Sequence, residues 1–175
     1  MIAALLLGRK GSVGFPSKNL YPVNGKPLAW YPMVAALKAT NVDRVFLSTD
    51  DERLMNIARD LDIEVIERPE YLCTKEALGE DAYGHGYEEI CERLGEKPEL
   101  MVLLFCNAAT LLPETIDEGI QVLRDKSDYD SAVTVSCYNM YSPVRARRIN
   151  DEGLLEAFVP LDKFSDDFVV SCDRN

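Results

Sequence analysis

Short, continuous apolar runs recur along the chain, separated by longer stretches of helical period. Ile2–Leu7 is such a run and ends at Gly8. Arg44–Thr49 (RVFLST), Glu64–Glu67, Met101–Phe105 (MVLLF) and Ala132–Ser136 (AVTVS) resemble it. Runs this short and apolar suit strands covered on both faces. Helical spacing of apolar residues covers Leu28–Thr40, Glu52–Asp60, Glu80–Arg93 and Glu114–Arg124. Strand and helix alternate through the first two thirds of the chain. That order predicts an α/β fold, a mainly parallel sheet flanked by helices with right-handed crossovers. Ligands on such sheets sit at the carboxyl ends of the strands.

The final third reads differently. Helical signals fade after Ser136. Ser142–Ile149 (SPVRARRI) is basic and runs into a turn signal at Asn150-Asp151-Glu152-Gly153. Leu154–Leu161 and Phe168–Cys172 are candidate strands of an excursion from the main sheet. With no repeat or long linker, the 175 residues are expected to form a single domain, with the excursion spanning about 137–175. The chain stops at Asp173-Arg174-Asn175 without a closing helix, which leads to the expectation that its natural C-terminal part is absent.

Composition narrows the class. Hydrophobic residues make up 47% and charged residues 28%, ordinary values for a globular protein. No apolar run is long enough to cross a bilayer. The first run meets positive charge after it, at Arg9 and Lys10, whereas a secretory signal carries that charge before it. A cytoplasmic protein with no membrane association is the expectation. Five widely spaced cysteines, Cys73, Cys91, Cys106, Cys137 and Cys172, contain no CxxC pair and read as free thiols. A net charge of −11 disfavours nucleic acid as a partner. A small anionic ligand stays compatible with that charge where cations gather locally, and Arg9, Lys10, Lys18 and Lys26 lie in one early segment.

That segment, Gly8-Arg9-Lys10-Gly11-Ser12-Val13-Gly14-Phe15-Pro16-Ser17-Lys18-Asn19-Leu20, directly follows the first predicted strand. Glycines at 8, 11 and 14 let the backbone approach a ligand and take positive φ. Exposed N–H groups there, as at Gly11 and Ser12, form an anion-binding concavity. Arg9, Lys10 and Lys18 add charge that would neutralise a triphosphate and stabilise a leaving pyrophosphate. The loop is neither a Walker A sequence nor a GxGxxG fingerprint. The alternative is a Gly/Pro-rich surface connection with solvated lysines. Coincidence of glycines and cations after strand one favours the anion site.

Several ordered motifs resemble the CMP-sugar synthetases, the acylneuraminate cytidylyltransferases. The loop is similar to the family pattern R-G-G-S-K-G-I-P-x-K-N. Asn24-Gly25-Lys26-Pro27-Leu28 resembles G-K-P-L, Ser48-Thr49-Asp50-Asp51 resembles S-T-D-D, Glu67-Arg68-Pro69 resembles x-R-P, and Ser142-Pro143 with Arg145 resembles S-P-x-R. The resemblance implies a Rossmann-like nucleotidyltransferase fold, three-layer α/β/α, with a dimerisation excursion and hence a homodimer. It implies a reaction in which a hydroxyl of an acidic sugar, such as a nonulosonic acid, attacks the α-phosphate of CTP in the presence of Mg²⁺. By that likeness Arg9, Lys18 and Asn19 hold the nucleotide, with Arg9 and Lys18 catalytic. Arg68 lies near the nucleotide, and Ala77 and Gly79 stand against the cytosine. Asp81 and His85 fall on an acidic and a histidine position of the following helix.

The residues themselves temper parts of this. Arg68 precedes Pro69 at a strand end and suits bidentate phosphate pairing, or equally a surface pair with Glu67 or Glu70. Asp51 reads as a helix N-cap rather than a metal ligand, and Asp50 stays open. His85, the sole histidine, is read as a structural side chain, not a base. Val13 stands where the family has a second lysine, with Lys10 at a usual glycine. Lys75 replaces an acid. The family's L-Q-P-T-S-P reads here Leu104-Phe105-Cys106-Asn107-Ala108-Ala109, so Phe105 replaces a sugar-contacting glutamine and Asn107, with Thr110, is left to bond the sugar. Arg145 and Arg147 share a strand face and either hold a sugar carboxylate or solubilise an edge strand. The late acidic pair for Mg²⁺ would fall beyond Asn175, leaving the metal ligands unassigned. Two other readings stay open: a nucleotidyltransferase for another sugar or base, and a non-catalytic nucleotide-binding dimer.

Overall fold

The computed structural model describes residues 1–11, 14–74, 76–135 and 146–160. The chain divides into two units, Met1–Ala132 and Val133–Asn175. The first contains β1 (Ile2–Leu7), a two-stranded hairpin of β2 (Pro22–Val23) and β3 (Lys26–Pro27), and α1 (Trp30–Lys38). There follow β4 (Arg44–Thr49), α2 (Glu52–Asp60), β5 (Glu64–Glu67), α3 (Gly79–Leu94), β6 (Leu100–Phe105) and α4 (Pro113–Asp125). The main sheet has the order β5-β4-β1-β6, and all its pairings are parallel.

Alternation of side chains along β1 builds a core on each face of the sheet. Ile2, Ala4 and Leu6 pack with Met33 and Ala36 of α1, Leu54 and Ala58 of α2, and Ile116 and Ile120 of α4. Ala3, Leu5 and Leu7 face the other way, into a smaller cluster with Phe46, Ile66 and Ile90, the last from α3. The result is the three-layer α/β/α arrangement expected from the alternation of elements.

Local chemistry sets the element ends. Asp51 caps α2 by accepting the Arg53 N–H at 3.1 Å, as read from the sequence. Burial pushes the Asp51 carboxyl up, but its bonds to Arg53 together outweigh that and hold it below the ordinary carboxylate range. Pro113 opens α4, where a missing N–H costs nothing. Gly95, at φ 71°, closes α3 by donating to Cys91 O and Glu92 O. Asn24 and Gly25 both take positive φ, the requirement of the tight turn joining β2 to β3.

Three expectations change. The helix read over Leu28–Thr40 is confined to Trp30–Lys38: Ala29 is its N-cap, its N–H held by Asn19 O, and Ala39 leaves the helix in an extended conformation. Residues 132–135 form no strand; Val133 and Val135 are 78% and 90% exposed, and alternation alone does not make a strand without a ladder partner. In the second unit, the described part of Leu154–Leu161, residues 154–160, contributes the short β8 (Leu155–Ala157), antiparallel to β7 (Arg147–Ile149). The turn between them matches expectation: Asn150 Oδ1 accepts from Glu152 and Leu154 N–H, and Gly153 has φ 78°. Phe168–Cys172 lies outside the described residues. Cys73, Cys91 and Cys106 are free thiols. Among the described residues, no helix is long and apolar enough to cross a membrane.

Candidate functional site

The β1 strand ends at Leu7, level with Ser48 of β4 and Phe105 of β6. From there the chain must leave the sheet, and Gly8 makes the exit possible. A Cβ at Gly8 would lie 2.7 Å from Cys106 Sγ and 3.1 Å from Leu54 Cδ1. Neither neighbour has room to move: Cys106 and Leu54 are 1% and 0% exposed. Gly8 N–H is held by Ser48 O at 3.2 Å, and Cys106 N–H by Leu7 O at 3.1 Å. The ends of β1 and β6 are thereby clamped side by side.

A cavity of about 500 Å³ opens at this point, lined by Leu7, Gly8, Arg9, Gly14, Phe15, Lys18, Asn19 and Asn107. Its position, at the carboxyl ends of parallel strands, is the one such sheets use for ligands. Lys18 and Asn19 reach it from a 3-10 turn, Lys18–Leu20, that starts at Ser17 in the left-handed region. The turn is fixed by Lys18 N–H on Phe15 O, by Ala29 N–H on Asn19 O, and by an edge-on contact of Phe15 with Tyr21 at 5.0 Å. Asn107 follows β6 in a turn closed by Ala108 N–H on Phe105 O. Two cations and two amides thus converge from segments far apart in sequence, a donor set suited to phosphate oxygens.

The other sequence-selected residues lie in several segments. Lys10 and Gly11 are exposed beside it, and Gly11 has φ 78°. Ser12 lies outside the described residues. Arg9 donates through Nη1 to Thr74 O at 2.8 Å, linking the glycine loop to the segment that carries Ala77 and Gly79. Ala77 N–H is held by Thr74 Oγ1, and Gly79 is the first residue of α3. Arg68 turns inward, away from a surface pair with Glu67 or Glu70. It is buried and donates through Nε to Ser48 Oγ and through Nη2 to Ser48 O. Burial pushes its pKa down, partly offset by Cys73 and Asp50 nearby. Arg68 lines a second cavity of about 380 Å³ with Asp50, Glu67, Pro69, Glu70 and Cys73. Arg147 belongs to β7 in the second unit, and Arg145 lies outside the described residues. His85 sits on α3 with its Nδ1 buried and unbonded among the described residues.

Sequence reasoning missed three features of the site. Phe15 forms part of the cavity wall, in a position the loop pattern showed only as apolar. The carbonyl of Thr74 has no signature in sequence. Asp50 accepts the Lys10 N–H through Oδ1 at 2.7 Å, and its place straight after a strand was the available signal.

Comparison with known proteins bears on the family and the fold. The family described as Cytidylyltransferase matches residues 3–150. A 3-deoxy-manno-octulosonate cytidylyltransferase of Anaeromyxobacter dehalogenans is 32% identical over 123 residues, covering 70% of this chain and 47% of that protein. The N-acylneuraminate cytidylyltransferase B of Danio rerio is 34% identical over 122 residues, covering 68% of this chain and 27% of its own. The chain thus spans less than half the length of these relatives. Among solved structures, a CMP:2-keto-3-deoxy-manno-octonic acid synthetase complexed with CTP shares the fold at a TM-score of 0.58, with 21% identity over 72% of this chain and 48% of that one. A 4-diphosphocytidyl-2C-methyl-D-erythritol synthase from Anaerococcus prevotii does so at 0.55, with 15% identity over 92% of this chain and 65% of that one. With a mainly parallel sheet, a cation-lined cavity at its carboxyl edge and a match over most of its residues, the chain belongs to the cytidylyltransferase family.

Proposed function

We propose that this chain carries the nucleotide-binding part of an enzyme that transfers CMP from CTP to an acidic sugar and releases pyrophosphate. The observation that carries this reading is the cavity joining Arg9, Lys18, Asn19 and Asn107 at the ends of β1 and β6. In the reaction a sugar hydroxyl forms a new O–P bond to the α-phosphorus. The bond from that phosphorus to the bridging oxygen breaks, pyrophosphate leaves, and the hydroxyl proton is lost. No covalent enzyme intermediate is needed, so rate comes from positioning and from charge placed where charge develops. Arg9 and Lys18 lie on the cavity wall where they would neutralise the triphosphate and the departing pyrophosphate. Asn19 would orient the nucleotide, with Lys10 and the amides of Gly11 and Ser12 adding phosphate contacts. Ala77 and Gly79 would leave room for the base, beside the buried Arg68.

The named relatives act on two acidic sugars, 3-deoxy-manno-octulosonate and N-acylneuraminate, which supports an acidic acceptor without separating the two. The family likeness assigns acceptor binding to Asn107 and, separately, to Arg145 and Arg147. A homodimer formed through the excursion, and a cytoplasmic location, complete the reading. Mg²⁺ bound with the nucleotide would need only one or two carboxylates beside the phosphate oxygens; among the described residues no group of three or more His, Cys, Asp or Glu side chains is placed to hold a metal ion, and its ligands stay unassigned. Residue roles are therefore derived without it.

One observation favours a second reading within the same chemistry. Phe105, in place of the family's glutamine, is 51% exposed next to Asn107, which suits a different acceptor or base. Pyrophosphate release from CTP, GTP, UTP and ATP by the intact protein, with Mg²⁺ and each acidic sugar, tests both. Turnover with CTP alone is the expected result. Turnover only with another nucleotide would establish the second reading, and none with any would overturn both.

A further inference from the structure

We propose that Asp50 is a positioning residue whose carboxylate, by holding the Lys10 N–H, fixes the exit of the glycine loop and so holds Arg9 at the cavity wall. This rests on the reading of that cavity as a triphosphate site.

The argument starts from the ladder between β1 and β4. Its register brings Leu7 level with Ser48, and Gly8 N–H continues it onto Ser48 O. In a parallel pair, alternate residues of one strand donate to successive carbonyls of its neighbour. After Gly8 the next donor in that series is Lys10, and the next acceptor would be a carbonyl of the β4 chain. Here the two chains part: β4 turns into α2 through the cap at Asp51, while β1 runs into the loop. The Asp50 side chain reaches across the gap and accepts Lys10 N–H at 2.7 Å. A charged acceptor makes a stronger bond than a carbonyl. One further rung is gained where the backbones have already diverged.

Arg9 lies between the two tethered amides, Gly8 and Lys10. Its backbone is therefore held on both sides, and its guanidinium is aimed past the cavity wall to Thr74 O. Without the Asp50 tether only the Gly8 rung would hold the loop, and Gly11 at φ 78° would leave it hinged. Preorganising a cation in this way spares the nucleotide the cost of ordering it.

Asp50 has a competing role to separate from this one. It also lines the second cavity, with Glu67 and Glu70, around the buried Arg68 and beside Cys73. As a counter-charge for Arg68 it would matter for its sign; as a tether it matters for its acceptor oxygen. Asparagine keeps the oxygen and removes the charge, and alanine removes both.

The test uses Asp50→Asn and Asp50→Ala in the intact protein, with three readouts: the Lys10 amide exchange rate by NMR without nucleotide, CTP affinity by titration, and thermal unfolding. The tether predicts Lys10 exchange about tenfold faster in Asp50→Ala and CTP affinity about tenfold weaker, the scale of one charge-assisted bond. Asp50→Asn is expected to keep Lys10 protection and stay within about twofold of the parent affinity. Parental Lys10 protection in Asp50→Ala, or equal losses in both variants, would overturn the proposal. Should Asp50→Ala not fold, Asp50→Leu, which keeps the size but has no acceptor oxygen, takes its place: lost Lys10 protection supports the tether and retained protection contradicts it. If the parent protein binds no CTP, the functional reading fails, while Lys10 exchange still decides whether Asp50 holds the loop.

Discussion

Strands β1 and β6 lie side by side, pair over six residues from Ile2–Leu100 to Leu7–Phe105, and carry similarly apolar sequences. Their surroundings differ. Every residue of β1 is buried. On β6, among the described residues, Val102 and Leu104 are covered toward α1 and α4, and on the other face Met101 is half-buried against the smaller cluster. Leu103 and Phe105, on that same face as Met101, are 40% and 51% exposed. An apolar run therefore states that a segment is a strand without stating how many of its faces are covered. The cavity lies where these two strands end together, with Gly8 after one and Asn107 after the other. A fully packed strand supplies the rigid side of the site, and a half-covered one supplies the other.

The largest effect should separate the strands directly. Leu5→Ala empties a fully buried position and is expected to cost about 2–5 kcal/mol of stability, whereas Leu103→Ala should cost well under about 1 kcal/mol. Urea unfolding of the two variants measures this, and equal losses would show that β6 is as enclosed as β1. Next comes the junction. Gly8→Ala pushes a methyl against Cys106 and should cost about 1–3 kcal/mol. Adding Cys106→Ala should recover part of that loss, since the two sites are in contact. Additive losses would place the strain against Leu54 instead.

The smallest effect is chemical. Burial pushes the Cys106 thiol up to about 12, so its thiolate is scarce throughout the native pH range. Alkylation at pH 8, followed by mass spectrometry, should label half-buried Cys91 while leaving Cys106 unmodified until the protein unfolds. Early labelling of Cys106 would show that the ends of β1 and β6 open.

Much of the fold was legible in sequence. Ile2–Leu7, Arg44–Thr49 and Glu64–Glu67 form strands at the boundaries their apolar runs suggest, and Glu52–Asp60 is the helix that its Asp51 cap announces. These signals are local, so the chain states them locally. Residues 132–135 misled because a strand exists only through its partner, and V-T-V alternation says nothing of one. The candidate site was half legible. Arg9 and Lys18 stood out because glycines and cations share one segment, and Asn19 and Asn107 through the likeness to the family's motifs. Their convergence depended on the parallel order β4-β1-β6, which the alternation of elements implies only in outline. The role of Asp50, which the sequence left open, and the Thr74 carbonyl were not legible. Asp50 acts through the register of a ladder one rung beyond its end, and a carbonyl carries no residue identity.

The most direct test is a CTP titration of the parent protein beside Lys18→Ala, in the presence of Mg²⁺ and followed by calorimetry. Lys18 lies on the cavity wall and is expected to bear on the triphosphate, so saturable CTP binding weakened about tenfold or more by the substitution is predicted. Binding of equal strength in both proteins would place CTP elsewhere, and no binding in either would contradict the reading of this cavity as a triphosphate site.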